Sequence, residues 1–445
     1  MKKYTRLNLL TLAAIATCST QAWSTQPIPS NPALSMSSVA EQNQASGSWQ
    51  ETKLDTKGNV TELRYLGAQA KPLVDAEGMS RITYRYDLDA NTLEEAYFGI
   101  NDEPVADANG IHAKTANYDF SGNKIEENNF APDGKIVINL DKGIYHITRH
   151  YDLEGNIDTE AFWGAKGEAI LNKVGIHRIT NEYNELGQKI ATNYFGVDEM
   201  PSFDKAGVHR RTRKFDANFN FSESAFFGLK QEPVLDSFGV HRWVAQYDER
   251  GERTGMSYFG IDDKPVLSHD GTHSWSKKFD VYGNEEIHAN FGLNGEPVID
   301  LKHGYYMRVY HYNELGHQDA ELYYGVKGEA IENSSGFYMA KLQYDIDGNC
   351  IDVSYFDTHR QPVIRKLSGS YKDKAAFYRS GVFRGHYEYD EFGALATARF
   401  YAPTGQLMEN EQGVAMMDFT QDSNAPVCYN LSNMKVACEK AIPSE

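Results

Sequence analysis

Between residues 48 and 419 apolar and polar positions alternate in short runs, and the runs come in pairs. Within 175–196, IHRITNEY and QKIATNYF are rich in strand-forming residues and are joined by Asn184-Glu185-Leu186-Gly187. Another copy has Asp248-Glu249-Arg250-Gly251 at the same place. A carboxylate or amide that caps its own turn, with glycine free to take positive φ three residues on, predicts a β-hairpin with a four-residue tip.

The pattern repeats. GLKQEPVLDSFGVHRWVAQYDERGERTGMSYF, residues 228–259, is followed directly by GIDDKPVLSHDGTHSWSKKFDVYGNEEIHANF and preceded by GVDEMPSFDKAGVHRRTRKFDANFNFSESAFF. The residue after the closing aromatic pair marks the period: Gly67, Gly99, Ala131, Gly164, Gly196, Gly228, Gly260, Gly292, Gly325 and Asp357 follow one another at 32 or 33 residues, and Ala402 comes after a gap of 45. A unit this short cannot bury a core alone, so it must stack on its neighbours.

Two strands per copy keep every copy in the same orientation, whereas an odd number would place identical sequences in alternating directions. About ten and a half copies give roughly twenty strands, a ribbon of ~100 Å if straight. Right-handed twist coils such a ribbon. The expected fold is therefore all-β, a tandem β-hairpin repeat array coiled into a solenoid or open spiral sheet.

The segment Gly292-Leu293-Asn294-Gly295-Glu296-Pro297-Val298 carries a second turn and a proline, which cannot donate to a ladder, so it reads as a connector. Neighbours in Tyr97-Phe98, Tyr194-Phe195 and Tyr258-Phe259 point to opposite faces, and the phenylalanine is expected to be the inward ring.

The ends differ from the array. Residues 1–22, with MKKYTR, a short apolar run and Thr20-Gln21-Ala22, read as a secretory signal whose apolar run is too short to span a bilayer, leaving no transmembrane span in the mature chain. Cys18, after Ile15-Ala16-Thr17, is a candidate lipid anchor. Residues 23–47 are dominated by Ser, Gln, Asn, Pro and Ala and read as a flexible leader. The repeats, 48–419, open at Trp49 with a partial copy that suits an N-terminal cap. Residues 364–380 contain about twelve extra positions rich in Lys and Arg, by comparison with the five or six positions used elsewhere. In the tail, 420–445, Cys428 and Cys438 flank Leu431-Ser432-Asn433 and could close a disulfide across a terminal hairpin, blunting the last sheet edge.

Composition narrows the role. The chain of 445 residues has 28 Tyr and 22 Phe and a formal charge of −18, or −21 without Lys2, Lys3 and Arg6. Such acidity repels phosphate backbones and argues against nucleic acid as a partner.

His112, His177, His209, His241 and His273 stand in register two residues after a turn glycine, with Tyr145, Tyr306 and Tyr338 in the same place elsewhere. Equivalent positions two strands apart lie ~9.6 Å from one another, too far for one zinc ion, whose ligand atoms lie within about 4 Å. The row is either a structural aromatic ladder or a ligand-facing stripe. The turn acids, Asp87, Asp119 and Asp248 among them, come one per turn and suit capping, where calcium needs a dense oxygen cluster. Glu95, Glu127, Glu160, Glu223 and Glu286 alternate with apolar neighbours as on a solvated sheet face, and their repetition singles out no catalytic pair. No enzyme activity, cofactor or metal is expected.

Tyr118-Asp119-Phe120-Ser121-Gly122-Asn123, Tyr151-Asp152-Leu153-Glu154-Gly155-Asn156 and Tyr344-Asp345-Ile346-Asp347-Gly348-Asn349 resemble the Y-D-x-x-G core of bacterial YD (Rhs-type) repeats over residues 49–401. The resemblance implies spiralling β-sheet shells or filamentous surface regions. The chain departs from that family in its 32-residue spacing, its G-x-x-G-E-P-V connector and the lack of an evident autoproteolytic core or C-terminal toxin domain.

The sequence thus points to an exported scaffold, in the periplasm, at the outer membrane surface or secreted, that binds a protein or polysaccharide at the envelope. Candidate contacts are the five histidines with Arg365, Lys366, Lys372 and Lys374 of the basic insert. A glycan-active enzyme using a groove in the sheet, or a shell or chaperone for another exported polypeptide, are the alternatives.

Overall fold

A computed structural model describes residues 37–43, 48–75, 78–366, 380–391, 393–420 and 426–438. They fall into two compact units, the smaller ending at Glu168 and the larger running from Ala169 onward together with Gln42–Trp49. Both are all-β arrays of antiparallel hairpins, as the periodicity predicts; among the described residues the helical content is one 3-10 turn at Ala68–Ala70.

One copy shows how the unit is built. Strand Arg242–Tyr247 pairs with Arg253–Phe259 from Arg242↔Phe259 to Tyr247↔Arg253, with a bulge before the tip. At the tip of a typical hairpin, Asp280 Oδ1 accepts the Tyr282 and Asn284 N–H groups and Oδ2 accepts the Asn284 amide, while Gly283 sits at φ 90°. One carboxylate thus satisfies three donors, which is why the motif needs Asp, Gly and Asn at those spacings.

The tyrosine before the capping Asp or Asn has a separate task. Tyr118, Tyr247, Tyr312 and Tyr344 each donate the phenol O–H to a carbonyl of the preceding hairpin, at Thr92, Phe221, Glu285 and Gln318. Tyr389 does the same to Cys350 across the basic insert. The Y-D pair therefore closes its own hairpin and ties it to the one before.

After the second strand the chain turns at Gly260, pairs Pro265 with Phe259 and turns again at Ser268-His269-Asp270-Gly271. The flanking bonds run from Gly260 N–H to Lys264 O and from Val266 N–H to Tyr258 O, so the Phe259–Pro265 pair itself exchanges none and the missing proline donor costs nothing. In five copies the period-marking glycine makes room for a glutamate: a Cβ on Gly292 would collide with the Glu296 carboxylate, which curls back to accept the Asn294 N–H at 2.8 Å. Copies with Ala131, Asp357 or Ala402 at that position have Lys135, Gln361 or Gln406 where the glutamate would be.

This connector folds back over the base of one sheet face and makes the core there. The residue after the second turn glycine is among the most buried of its copy, with Ile111, Ile144, Ile176, Val208 and Val382 at 0 % exposure. In the larger unit Val208, Phe226 and Val240 pack with Val234, Trp243, Tyr258 and Val266.

The inward ring is the first of the aromatic pair. Tyr97, Phe162, Phe226, Tyr323, Tyr355 and Phe400 are buried, while Phe98, Phe227 and Phe356 are half-exposed, which corrects the expectation that the phenylalanine of Tyr-Phe faces in. Alternation places the two rings on opposite faces, but the connector decides which face is covered.

Two copies run one residue longer, and the reason is local. The turns Asn139–Gly143 and Asp300–Gly304 close from residue five to residue one, where the others close from four to one. In both copies an asparagine replaces the inward ring, and the Asn129 and Asn290 amides donate to the carbonyls of Tyr145 and Tyr306 just beyond the longer turn.

The ends bring further corrections and one agreement. Ser37–Asn43 is a strand, although composition reads it as flexible leader; ladder hydrogen bonds use the backbone, so a polar stretch can make them. Residues 1–22, with Cys18, lie outside the described residues. Cys428 and Cys438 form the expected disulfide, with Cα atoms 5.5 Å apart, and Cys428 joins a cluster with Val382, Phe400, Val414 and Met417.

Candidate functional site

The half-exposed second ring of each pair lies on the opposite face, where it builds a repeating stack. Phe259 is covered by the Arg242 guanidinium, 4.1 Å from its centroid, and meets the edge of His273 of the next copy at 5.8 Å and 88°. Phe98 sits likewise between Arg81 and His112, and Phe195 between Arg178 and His209. Arg81, Arg178 and Arg242 are anchored to Asp102, Glu199 and Asp263, each 21 residues on and each at positive φ.

The histidine row is thus an aromatic ladder. Each ring also places Nδ1 at 3.2–3.3 Å from the carbonyl seven residues earlier, as His241 does with Val234 and His273 with Val266, so Nδ1–H is the donor. His177, His209 and His241 are buried and His112 and His273 half-buried, so the ladder accounts for the row and leaves the three buried rings no surface for a ligand.

The basic insert enters and leaves through an ordinary connector turn. Arg365 N–H donates to Val382 O and Gly381 N–H to Arg365 O, the pattern that Asp236, Val240 and Gly239 make elsewhere. Arg365 is itself buried, 5.7 Å from the Tyr355 ring centroid, so it is a packing residue and not the exposed contact expected. Lys366 is exposed along Gly336, and Lys372 and Lys374 lie outside the described residues. The five strand carboxylates do not share a face. Glu95, Glu127 and Glu160 oppose Tyr84, Ala116 and Arg149 on the connector side, whereas Glu223 opposes Lys214 on the other.

A group of ionisable side chains that the sequence did not single out lies on the connector side of the larger unit, above the core. Cross-strand pairs Lys277↔His288 and His288↔Arg308 set three basic residues in a row, with Tyr310 two residues along from Arg308. Lys277 Nζ pairs with Glu285 Oε2 at 2.5 Å, and Arg308 lies 4.7 Å from the Tyr310 ring centroid. The His288 ring is held edge-on between Trp275 at 5.5 Å and Tyr305 at 6.4 Å.

Four polar atoms of this cluster are buried without a hydrogen-bond partner: both ring nitrogens of His288, Glu285 Oε1 and Arg308 Nε. The nearest approaches, His288 Nδ1 and Arg308 Nη2 to Glu285 Oε1, are both 3.9 Å and beyond hydrogen-bonding reach. Burial first, and then the neighbouring Arg308 and Lys277 cations, push His288 down to about 4. Burial also opposes charge on Arg308, yet the surrounding Tyr305, Tyr310, Glu321 and Glu285 make its guanidinium more basic than usual. At neutral pH the site holds a neutral imidazole, the Arg308 cation and a carboxylate oxygen that has an ion-pair contact with Arg308 but no hydrogen bond, beside Trp and Tyr rings. Its sequence signal was a break in the repeat, since Asn290, like Asn129, stands where the other copies have an inward ring and Tyr305 where most have Ile or Val.

Among the described residues no three His, Cys, Asp or Glu side chains converge as a metal site. A depression in the smaller unit, between Glu95, Lys114, Lys124 and Glu127, holds about 50 Å³, room for little more than water.

No protein-family model and no curated protein matches the chain. It is similar to the solved structure "Crystal Structure of TcdB2-TccC3-TEV", with a TM-score of 0.40 and 10% identity over 89% of this chain and 21% of that one. It is also similar to the Photorhabdus luminescens Tc holotoxin pore with the TccC3-D651A mutation, with a TM-score of 0.27 and 12% identity over 86% and 18%. The chain thus spans about a fifth of the length of these proteins, and at this level neither likeness defines a family or an activity.

Proposed function

We propose that the chain is an exported, non-catalytic β-repeat scaffold that binds a macromolecule, protein or polysaccharide, at the bacterial envelope. The hairpin array is the scaffold. The observation that supports binding is that Glu285, His288 and Arg308, side chains only partly buried, keep polar atoms beneath the surface without hydrogen-bond partners. Each unmade bond at a buried polar atom costs about 1–3 kcal/mol, so the fold keeps these groups at a cost that apolar residues of similar shape would avoid. Trp275 and Tyr310, both half-buried, give a partner ring faces to pack on.

The test uses the full chain against immobilised envelope polysaccharide and purified envelope proteins, alongside His288→Phe and Arg308→Met. A contact site predicts variants that unfold at equal or higher denaturant yet bind about tenfold or more weakly, because function and not folding keeps the polar atoms there. Unchanged binding would remove the site, and release of shortened glycan would show an enzyme instead. Cell fractionation tests export, and a cytoplasmic, unprocessed chain would refute it.

A further inference from the structure

The hairpin tips of the larger unit carry side chains that the tip does not need. A tip requires the capping Asp or Asn, the amide at the fifth position and a residue at positive φ; the positions between are free to be polar. Yet Leu186, Val281, Tyr282, Leu315 and Ile346 occupy them, exposed by 67–95%. Phe219 projects at 61% from the place where most tips have glycine, at φ 65°, a conformation that costs a bulky residue strain.

Between these apolar groups the charge is almost all of one sign. The seven four-residue turns that begin at Asn184, Asp216, Asp248, Asp280, Asn313, Asp345 and Asp390 hold ten carboxylates, with Arg250 as their one cation. Successive tips stand two strands apart, ~9.6 Å. That is close to the ~10.5 Å between residues seven apart on an α-helix.

We propose that this rim is a docking edge for a basic, amphipathic polypeptide helix, which sets one aliphatic side chain per seven residues against successive tips and Lys or Arg against the carboxylates between them. A second copy of this chain, or an anionic surface, would bring carboxylate against like charge, which disfavours both. The rim uses residues distinct from the Lys277–Tyr310 cluster and adds a second contact surface to the scaffold.

The experiment measures binding of a synthetic helix of about 42 residues, long enough to reach from the Leu186 tip to the Ile346 tip, with Leu at every seventh position and flanking Lys, to the full chain at ~50 mM salt. A scrambled peptide of the same composition is compared with it, as is a triple variant, Leu186→Ser, Leu315→Ser and Ile346→Ser, shown to keep the parent denaturation midpoint. The rim predicts affinity weakened about tenfold or more by scrambling, by the triple variant and by raising the salt severalfold. No binding of the ordered peptide, equal binding of the scrambled one, or full binding by the triple variant would each overturn it. Failure here with the His288 and Arg308 assay intact would remove the rim and leave the scaffold reading standing.

Discussion

Replacing Ile176 with alanine tests the claim that the residue after each connector-turn glycine is the core of its copy. Ile176 is fully buried, its N–H is held by the Asn172 side chain, and it sits one residue before the His177 ladder position. Removing three carbons forfeits ~2.4 kcal/mol of transfer energy at ~0.8 kcal/mol per carbon. The cavity left behind raises the expected cost to about 3–4 kcal/mol, inside the range for large-to-small core changes. Val174, two residues earlier in the same turn and 44% exposed, is the internal control. Val174→Ala should change stability by less than about 0.5 kcal/mol. Urea titration should show the Ile176→Ala midpoint falling by on the order of 1 M while the Val174→Ala midpoint stays. Because each copy leans only on its neighbours, amide exchange should rise around Ile176 before it rises elsewhere. Equal midpoints for the two variants, or exchange that rises evenly, would refute the reasoning.

Three further outcomes follow from the same geometry. Tyr344→Phe removes only the hydroxyl that donates to Gln318 O and should cost about 1 kcal/mol by urea titration, with Phe215 and Phe279 showing that the ring itself suffices. Gly292→Ala should destabilise by about 1 kcal/mol in the parent and by less beside Glu296→Ala, since the closest clash is with that carboxylate and Val298 Cγ1 supplies the remainder. His288 is depressed to about 4, so it folds neutral and the unfolded chain takes up the proton first. Its contribution is therefore complete above the unfolded value near 6.5 and is lost as pH falls from there towards 4, by at most about 3 kcal/mol. His288→Phe should flatten stability between those limits, and an unchanged slope would contradict the assignment.

The branch points between sequence and structure are specific. The Y-D-x-x-G-N core was legible because its Asp, Gly and Asn bond among themselves within five residues, and the Cys428–Cys438 staple because its partners are ten residues apart. The histidine register was visible, but which of two roles it served depended on Phe rings one copy away and on carbonyls of the connector. The cluster at Lys277, His288 and Arg308 was hidden because its members come from three strands and show in the chain only as departures from the repeat.

The amino-acid sequence alone determined the repeat, its hairpins, its turns and its acidic character, since each rests on local bonds or on a period that any stacked unit must obey. Only the tertiary structure decided which face of the sheet is the core. That choice belongs to the connector, which covers the side of Tyr258 and leaves Phe259 to Arg242 and His273, and strand alternation is the same whichever side is covered.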